Sequence, residues 1–186
     1  MSKGFTLIEM IVSIAIISGV TALFIANYHS AGKRSDLVMT AQEVVADLHA
    51  AQSNTLGLTK YNTLVPPGGW GINFDRIANS YTLFADLNAP GTSGYREYDS
   101  GTEGDGSYGA RHIQLPDTIQ IYQIKTANNQ TYDLANVTFL PPDPRTNIWV
   151  SGGATSTALE IQLIETGADK VKTIKINFLG LAEVSD

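Results

Sequence analysis

The sequence predicts an α+β protein. A long N-terminal helix, membrane-spanning in its first half and amphipathic in its second, packs on an antiparallel β-rich head. Three observations predict this. An uncharged apolar run fills Met10 to Ala26. Apolar residues recur at three- and four-residue spacing from Leu37 to Leu56. From Trp70 onward the apolar period falls to two.

The composition is compatible with that division. The chain has 186 residues. Beyond the helix, roughly 130 residues remain, enough for one globular domain with its own core. Lys and Arg number 12 against 18 Asp and Glu, a net charge of -6. That balance disfavours nucleic acid as the main partner, because phosphate binding needs a basic surface. There is no cysteine, so disulfides and thiolate metal sites are excluded and packing alone must hold the head.

Met10 to Ala26 would span about 26 Å as a helix. With Phe5 to Ile8 and Asn27-Tyr28 added, the segment reaches the thickness of a hydrocarbon core, about 30 Å. A secretory signal peptide would carry a more basic start, a shorter core and a small-residue cleavage site after it. A plain membrane anchor explains the length but not Glu9, since a lone acid in lipid costs on the order of 3 kcal/mol. Lys33 and Arg34 lie just beyond the apolar segment, so counting positive flanks does not fix its orientation.

Gly4, Phe5, Thr6, Leu7, Ile8 and Glu9, preceded by Lys3, resemble the processing motif of type IV prepilins and type II secretion pseudopilins. The resemblance covers about 25 residues and is specific, because a short basic leader, a glycine, an aromatic and an acid stand in fixed register with an apolar run. It implies a pilin-like fold. It implies cleavage after Gly4 by a prepilin peptidase, N-methylation of Phe5, and residence in the inner membrane until subunits enter a helical filament. It also implies an assembly role for Glu9, whose carboxylate would compensate the Phe5 amine of a neighbouring subunit. The motif puts the leader in the cytoplasm.

From Ala31 to Leu56 there is no proline and one glycine, Gly32. Leu37, Val38, Ala41, Val44, Val45, Leu48, Ala51 and Leu56 form one stripe, with Asp36, Glu43, Asp47 and Gln52 mostly off it. Gly57 and then Pro66-Pro67-Gly68-Gly69 end the helix. Apolar and amphipathic halves together make a helix about 75 Å long. The expected organisation is a leader at 1–4, a membrane and filament-core helix at 5–28, an amphipathic helix at 29–57 and the head at 58–186.

Seven to nine strands are expected in the head. Trp70, Ile72 and Phe74 alternate with Gly71 and Asn73, and Tyr81, Leu83 and Ala85 with Thr82 and Phe84. Ile113 and Leu115, then Ile119 and Ile121, flank Pro116-Asp117, and Val137 to Phe139 precede Pro141-Pro142. Leu159, Ile161 and Leu163, and then Ile174, Ile176 and Phe178, make two runs joined by a hairpin at Thr166 to Asp169. The segments Trp70–Phe74 and Tyr81–Asn88, the acidic glycine-rich loop after them and the late Gly180 also resemble the heads of H-type pseudopilins and FimT-like minor pilins.

The acidic loop Asp86 to Asp105 is the head's most suggestive patch. Asp86, Asn88, Gly91 and Glu97 fall at positions one, three, six and twelve of a calcium loop. Pro90 at position five supplies no side-chain oxygen, and the flanks read as strands. A solvated turn rich in Asp, Asn and Gly is the favoured reading, and no metal ligand is assigned. Gly104 to Gly109 match a dinucleotide-binding pattern by letter but lack the strand-to-helix setting. His29, His49 and His112 are scattered, and His29 and His49 would lie about 30 Å apart on the helix. No catalytic residue, cofactor site or enzyme motif is identified. Trp70, Trp149 and the tyrosines at 81, 95, 98, 108, 122 and 132 are expected mainly to pack the sheets.

The functional expectation is a structural subunit of a type IV pilus-like or type II secretion pseudopilus filament. Its partners would be homologous subunits, the prepilin peptidase, the inner membrane and an assembly platform. It would reside as a single-pass inner-membrane protein and then in a periplasmic or extracellular filament. The alternative is a membrane-anchored extracytoplasmic β-rich binding domain that never polymerises. A DNA-uptake minor pilin, using Lys170, Lys172 and Lys175, is disfavoured by the net charge. Pilus against pseudopilus, and major against minor subunit, stay open.

Overall fold

A computed structural model describes residues 4, 6–99, 110–140, 145–167 and 170–185, with side chains at all of these except 26–35. One helix, α1 (Leu7–Leu56), precedes eleven strands. The chain divides into two compact units, residues 1–36 and 37–186, and α1 runs through both.

In the first unit, Leu7–Ile25 is a 19-residue stretch of mean hydropathy 2.3 with none of its window buried. Length and apolar character fit a segment that crosses a membrane. Leu7, Ile8, Ile11, Ile14, Ile17, Leu23 and Phe24 are all exposed, so this helix is apolar all round.

In the second unit, α1 becomes one-sided. Leu37, Ala41, Val44, Leu48 and Ala51 are buried, Val38 and Val45 are half-buried, and Leu56 is exposed. The helix ends in a Schellman pattern. Thr59 N donates to Asn54 O at 2.8 Å and Leu58 N to Thr55 O at 3.1 Å. The left-handed residue is Leu58, at φ 49°, one position after the expected breaker Gly57. A branched side chain there is strained, because Cβ crowds the following carbonyl.

Six strands form one antiparallel sheet in the order β3-β2-β1-β6-β7-β8, and five form another in the order β11-β10-β9-β4-β5. The first holds β1 (Gly69–Asp75), β2 (Ser80–Asp86), β3 (Arg111–Gln114), β6 (Leu134–Leu140), β7 (Arg145–Val150) and β8 (Ala154–Ser156). The second holds β4 (Ile119–Thr126), β5 (Thr131–Tyr132), β9 (Ala158–Glu165), β10 (Val171–Asn177) and β11 (Ala182–Ser185). The alternating residues of both sheets meet the helix stripe in one core, with Ile72, Phe74, Val137 and Ile148 from the first sheet and Ile124, Leu159, Ile161 and Ile174 from the second. This is the expected α+β arrangement of a helix with an antiparallel β head.

The details depart from expectation in three places. Strands β5, β7, β8 and β11, for which no run was expected, raise the count to eleven among the described residues. The β9–β10 hairpin pairs Leu159 with Ile176 and Ile161 with Ile174, but β10 stops at Asn177. Phe178 turns out to be 55% exposed, since Asn177 opens a turn by accepting from Leu179 N and Leu181 N through its side chain. Finally, β1 and β2 are buried on both faces rather than one. Their second face is a polar layer in which Asn73 Nδ2 donates to Asn136 Oδ1 at 2.8 Å and Phe84 packs on Tyr98 with ring centroids 5.4 Å apart. Gly71 makes this layer possible, because a Cβ there would lie 2.6 Å from Val137 O. Pro141-Pro142 and Asp169 lie outside the described residues.

Candidate functional site

Gly4 is exposed, and a Cβ built on it meets nothing within 4 Å. Phe5, the expected cleavage partner and methylation site, lies outside the described residues. Glu9 is exposed in the first turn of α1. It takes part in a reciprocal set of contacts with Thr6: Thr6 N and Thr6 Oγ1 both donate to Glu9 Oε2 at 3.4 Å, and Glu9 N donates to Thr6 Oγ1 at 3.4 Å. Thr6-Leu7-Ile8-Glu9 is therefore a capping box, which satisfies backbone donors that the helix start would otherwise leave bare. Sequence reasoning missed this. The T-x-x-E spacing is the signal for it, and it coincides with an acid that also conflicts with lipid. These contacts give Glu9 a local role in its own chain, beside the assembly role that the motif implies. Ser13 Oγ donates to Glu9 O at 2.7 Å and closes the next turn.

In the head, Asp47 and Thr55 join α1 to the first sheet. Asp47 is 9% exposed. Its Oδ2 accepts from the Tyr81 hydroxyl at 2.8 Å, and its Oδ1 accepts from Arg111 Nη2. Burial and the Asp47 carboxylate push the Tyr81 phenol far above its ordinary pKa. Farther along, the Thr55 hydroxyl donates to Phe139 O at 3.1 Å and accepts from Trp70 N at 3.0 Å. It thereby satisfies two strands with one side chain. Trp70 Nε1 donates to Thr59 O at 3.2 Å, and its ring meets Tyr61 edge-on.

The acidic loop is organised from within. Asp86 is fully buried, and its carboxylate accepts from Asn88 N at 2.8 Å and from Arg96 N at 2.5 Å. These bonds fold the loop back on the strand end, an Asx-type role. Burial and the nearby Asp86 charge push the Glu97 carboxyl up from its ordinary range. Among the described residues no group of three or more His, Asp and Glu side chains could hold a metal ion. Glu103, Asp105 and Tyr108 lie outside the described residues. Of the histidines, His49 is exposed on α1 and His112 Nδ1 lies 3.1 Å from the Thr82 hydroxyl. Nor do the lysines make one patch. Lys172 shares the parity of buried Ile174 and Ile176, while Lys175 lies on the other face, 4.0 Å from Glu160.

The chain thus joins an exposed apolar helix, preceded in sequence by Gly-Phe-Thr-Leu-Ile-Glu, to a helix stripe that closes the core of a two-sheet antiparallel head. Residues 1–23 match the family described as the prokaryotic N-terminal methylation motif, which supports a type IV pilin-like protein. The N-terminal hydrophobic helix fits a membrane-anchored protein of that type. No curated protein and no solved structure matches the chain.

Proposed function

We propose that this chain is a structural, non-catalytic subunit of a type IV pilus-like or type II secretion pseudopilus filament. It is cut after Gly4 by a prepilin peptidase, methylated at Phe5, held in the inner membrane and then assembled through its N-terminal helix on a membrane platform with homologous subunits. The organisation follows as leader 1–4, filament-core helix 5–28, amphipathic helix 29–57 and head 58–186. The finer likeness to H-type pseudopilins and FimT-like minor pilins belongs to this proposal. The observation that carries it is the N-terminal methylation motif at residues 1–23, in register with an acid on an otherwise uncharged exposed helix.

A second reading is favoured by the capping box. If Glu9 serves only its own helix, a membrane-anchored binding domain that never polymerises needs nothing more. Glutamine separates the two, because it can take the acid's place in a capping box but carries no charge. In the filament reading, Glu9→Gln and Glu9→Leu both insert into membranes and both fail to assemble. Normal filaments from Glu9→Gln would assign the acid to capping alone and defeat the charge-compensation role. Gly4→Leu should block processing, seen as an unshifted band. A side chain at Gly4 meets nothing in this chain, so such a block would reflect the peptidase rather than misfolding.

A further inference from the structure

The head contains a cleft of about 440 Å³. It lies where the residues following β1 and β7 of one sheet face β4 and β5 of the other. Two tyrosines, Tyr122 and Tyr132, line it together with Gln123, Ser151, Arg76 and Asp133.

The strand carrying Tyr122 is built irregularly at this point. Between Ile121 and Gln123, β4 advances two residues while β9 advances one, from Leu163 to Gln162. Tyr122 is the extra residue of this bulge and is 49% exposed. Bulges re-aim side chains and cluster beside binding sites. Across the cleft, Arg76 Nε and Nη2 donate to Asp133 Oδ1 at 2.7 and 2.5 Å. Both bonds end on one oxygen, so Asp133 Oδ2 and Arg76 Nη1 have no partner among the described residues. The Tyr122 hydroxyl, the Gln123 amide and the Ser151 hydroxyl likewise make no hydrogen bond among the described residues.

This lining selects a class of ligand. The one cation of the lining is neutralised by its one carboxylate, so the cleft offers an ionic ligand no net opposite charge. An apolar ligand would strip water from several polar groups without replacing its hydrogen bonds. What remains is a neutral molecule rich in hydroxyls with a flat carbon-bound face. A pyranose has both: its C–H face stacks on a tyrosine ring, and its adjacent hydroxyls bond to planar amide, guanidinium and carboxylate groups. Small-ligand pockets run from roughly 300 to 1,000 Å³, and this cleft falls at the size of one or two sugar rings. We propose that the Tyr122–Arg76–Asp133 cleft is a binding site for a neutral saccharide of one or two pyranose rings.

The site is independent of the filament reading, and a negative result here would leave that reading untouched. The test uses the full chain in a zwitterionic, sugar-free detergent, since glycosidic detergents would compete. Cellobiose and N,N′-diacetylchitobiose serve as probes in saturation-transfer NMR. The expected result is saturation of the C–H ring protons of at least one disaccharide. Tyr122→Ala and Gln123→Ala, checked for folding by Trp70 and Trp149 fluorescence, should each weaken binding, Tyr122→Ala by about tenfold. No transfer to either disaccharide overturns the proposal. So does undiminished transfer in both folded variants, because the sugar would then bind elsewhere.

Discussion

Replacing Asp47 with leucine should expose how the head holds the amphipathic half of α1. The substitution keeps the size roughly constant and removes the acceptor of two hydrogen bonds. Tyr81 is 2% exposed, so its hydroxyl would be left buried without a partner, a loss of about 1–3 kcal/mol. The Arg111 side chain is 61% exposed and returns to water, so its ion pair adds only about 0–1 kcal/mol. The sum is about 1–4 kcal/mol. For a unit of this size that lowers Tm by roughly 2–4 °C per kcal/mol. Thermal unfolding of the full chain in detergent, followed by Trp70 fluorescence, reads it directly. The decisive comparison is Asp47→Leu in a Tyr81→Phe background, where no buried hydroxyl remains to be orphaned. There the loss should shrink to at most about 1 kcal/mol. An equal loss in both backgrounds would refute the reasoning. The same bond sets an alkaline limit. The folded phenol lies above its unfolded value of 10.0, so its contribution is complete below that pH and is lost as pH rises beyond it. Tyr81→Phe should therefore lose less stability than the wild type above pH 10.0.

Three further outcomes are expected. Thr55→Val leaves Phe139 O and Trp70 N without their shared hydroxyl and should cost about 1–3 kcal/mol, measured by denaturant midpoint. Leu58→Gly relieves the left-handed strain at the helix end and should raise stability by about 0.5–1 kcal/mol; a fall would contradict the Schellman assignment. Glu97 has a raised folded pKa, so its ionised form opposes folding at neutral pH and its protonated form does not. Glu97→Gln should therefore raise Tm at pH 7, with the gain vanishing as pH falls through the carboxyl range; a gain that persists at low pH would have another cause.

Much of the fold was legible because burial follows period. The helix stripe from Leu37 to Ala51 and the alternating runs 159–163 and 174–176 show their inner faces directly. What escaped has physical reasons. As a charge, Asp47 reads as lying off the stripe. Yet Thr40, Val44, Asp47, Ala51 and Thr55 share helical spacing, and all five are buried. Asp47 and Thr55 bond strands, which no one-letter pattern distinguishes from a solvated edge. The alternation in β1 suggested a wet second face, because Gly71 and Asn73 are not apolar. That face is covered by the loop after β2, a long-range contact. Asp86 fits both the first position of a calcium loop and the favoured turn, because ligand loops and Asx turns use the same residues; its carboxylate binds backbone amides of its own loop and is buried rather than solvated. At the N-terminus the motif was fully legible, whereas the second role of Glu9 needed the Thr6 geometry.

The central claim is that the chain matures at Gly4/Phe5 and polymerises. Mass spectrometry of the N-terminal peptide from filaments sheared off the native cells tests it most directly. The account predicts a peptide that starts at Phe5 and carries one N-methyl group. It would be contradicted if the chain were absent from filaments and its membrane-bound form began at Met1 or Ser2.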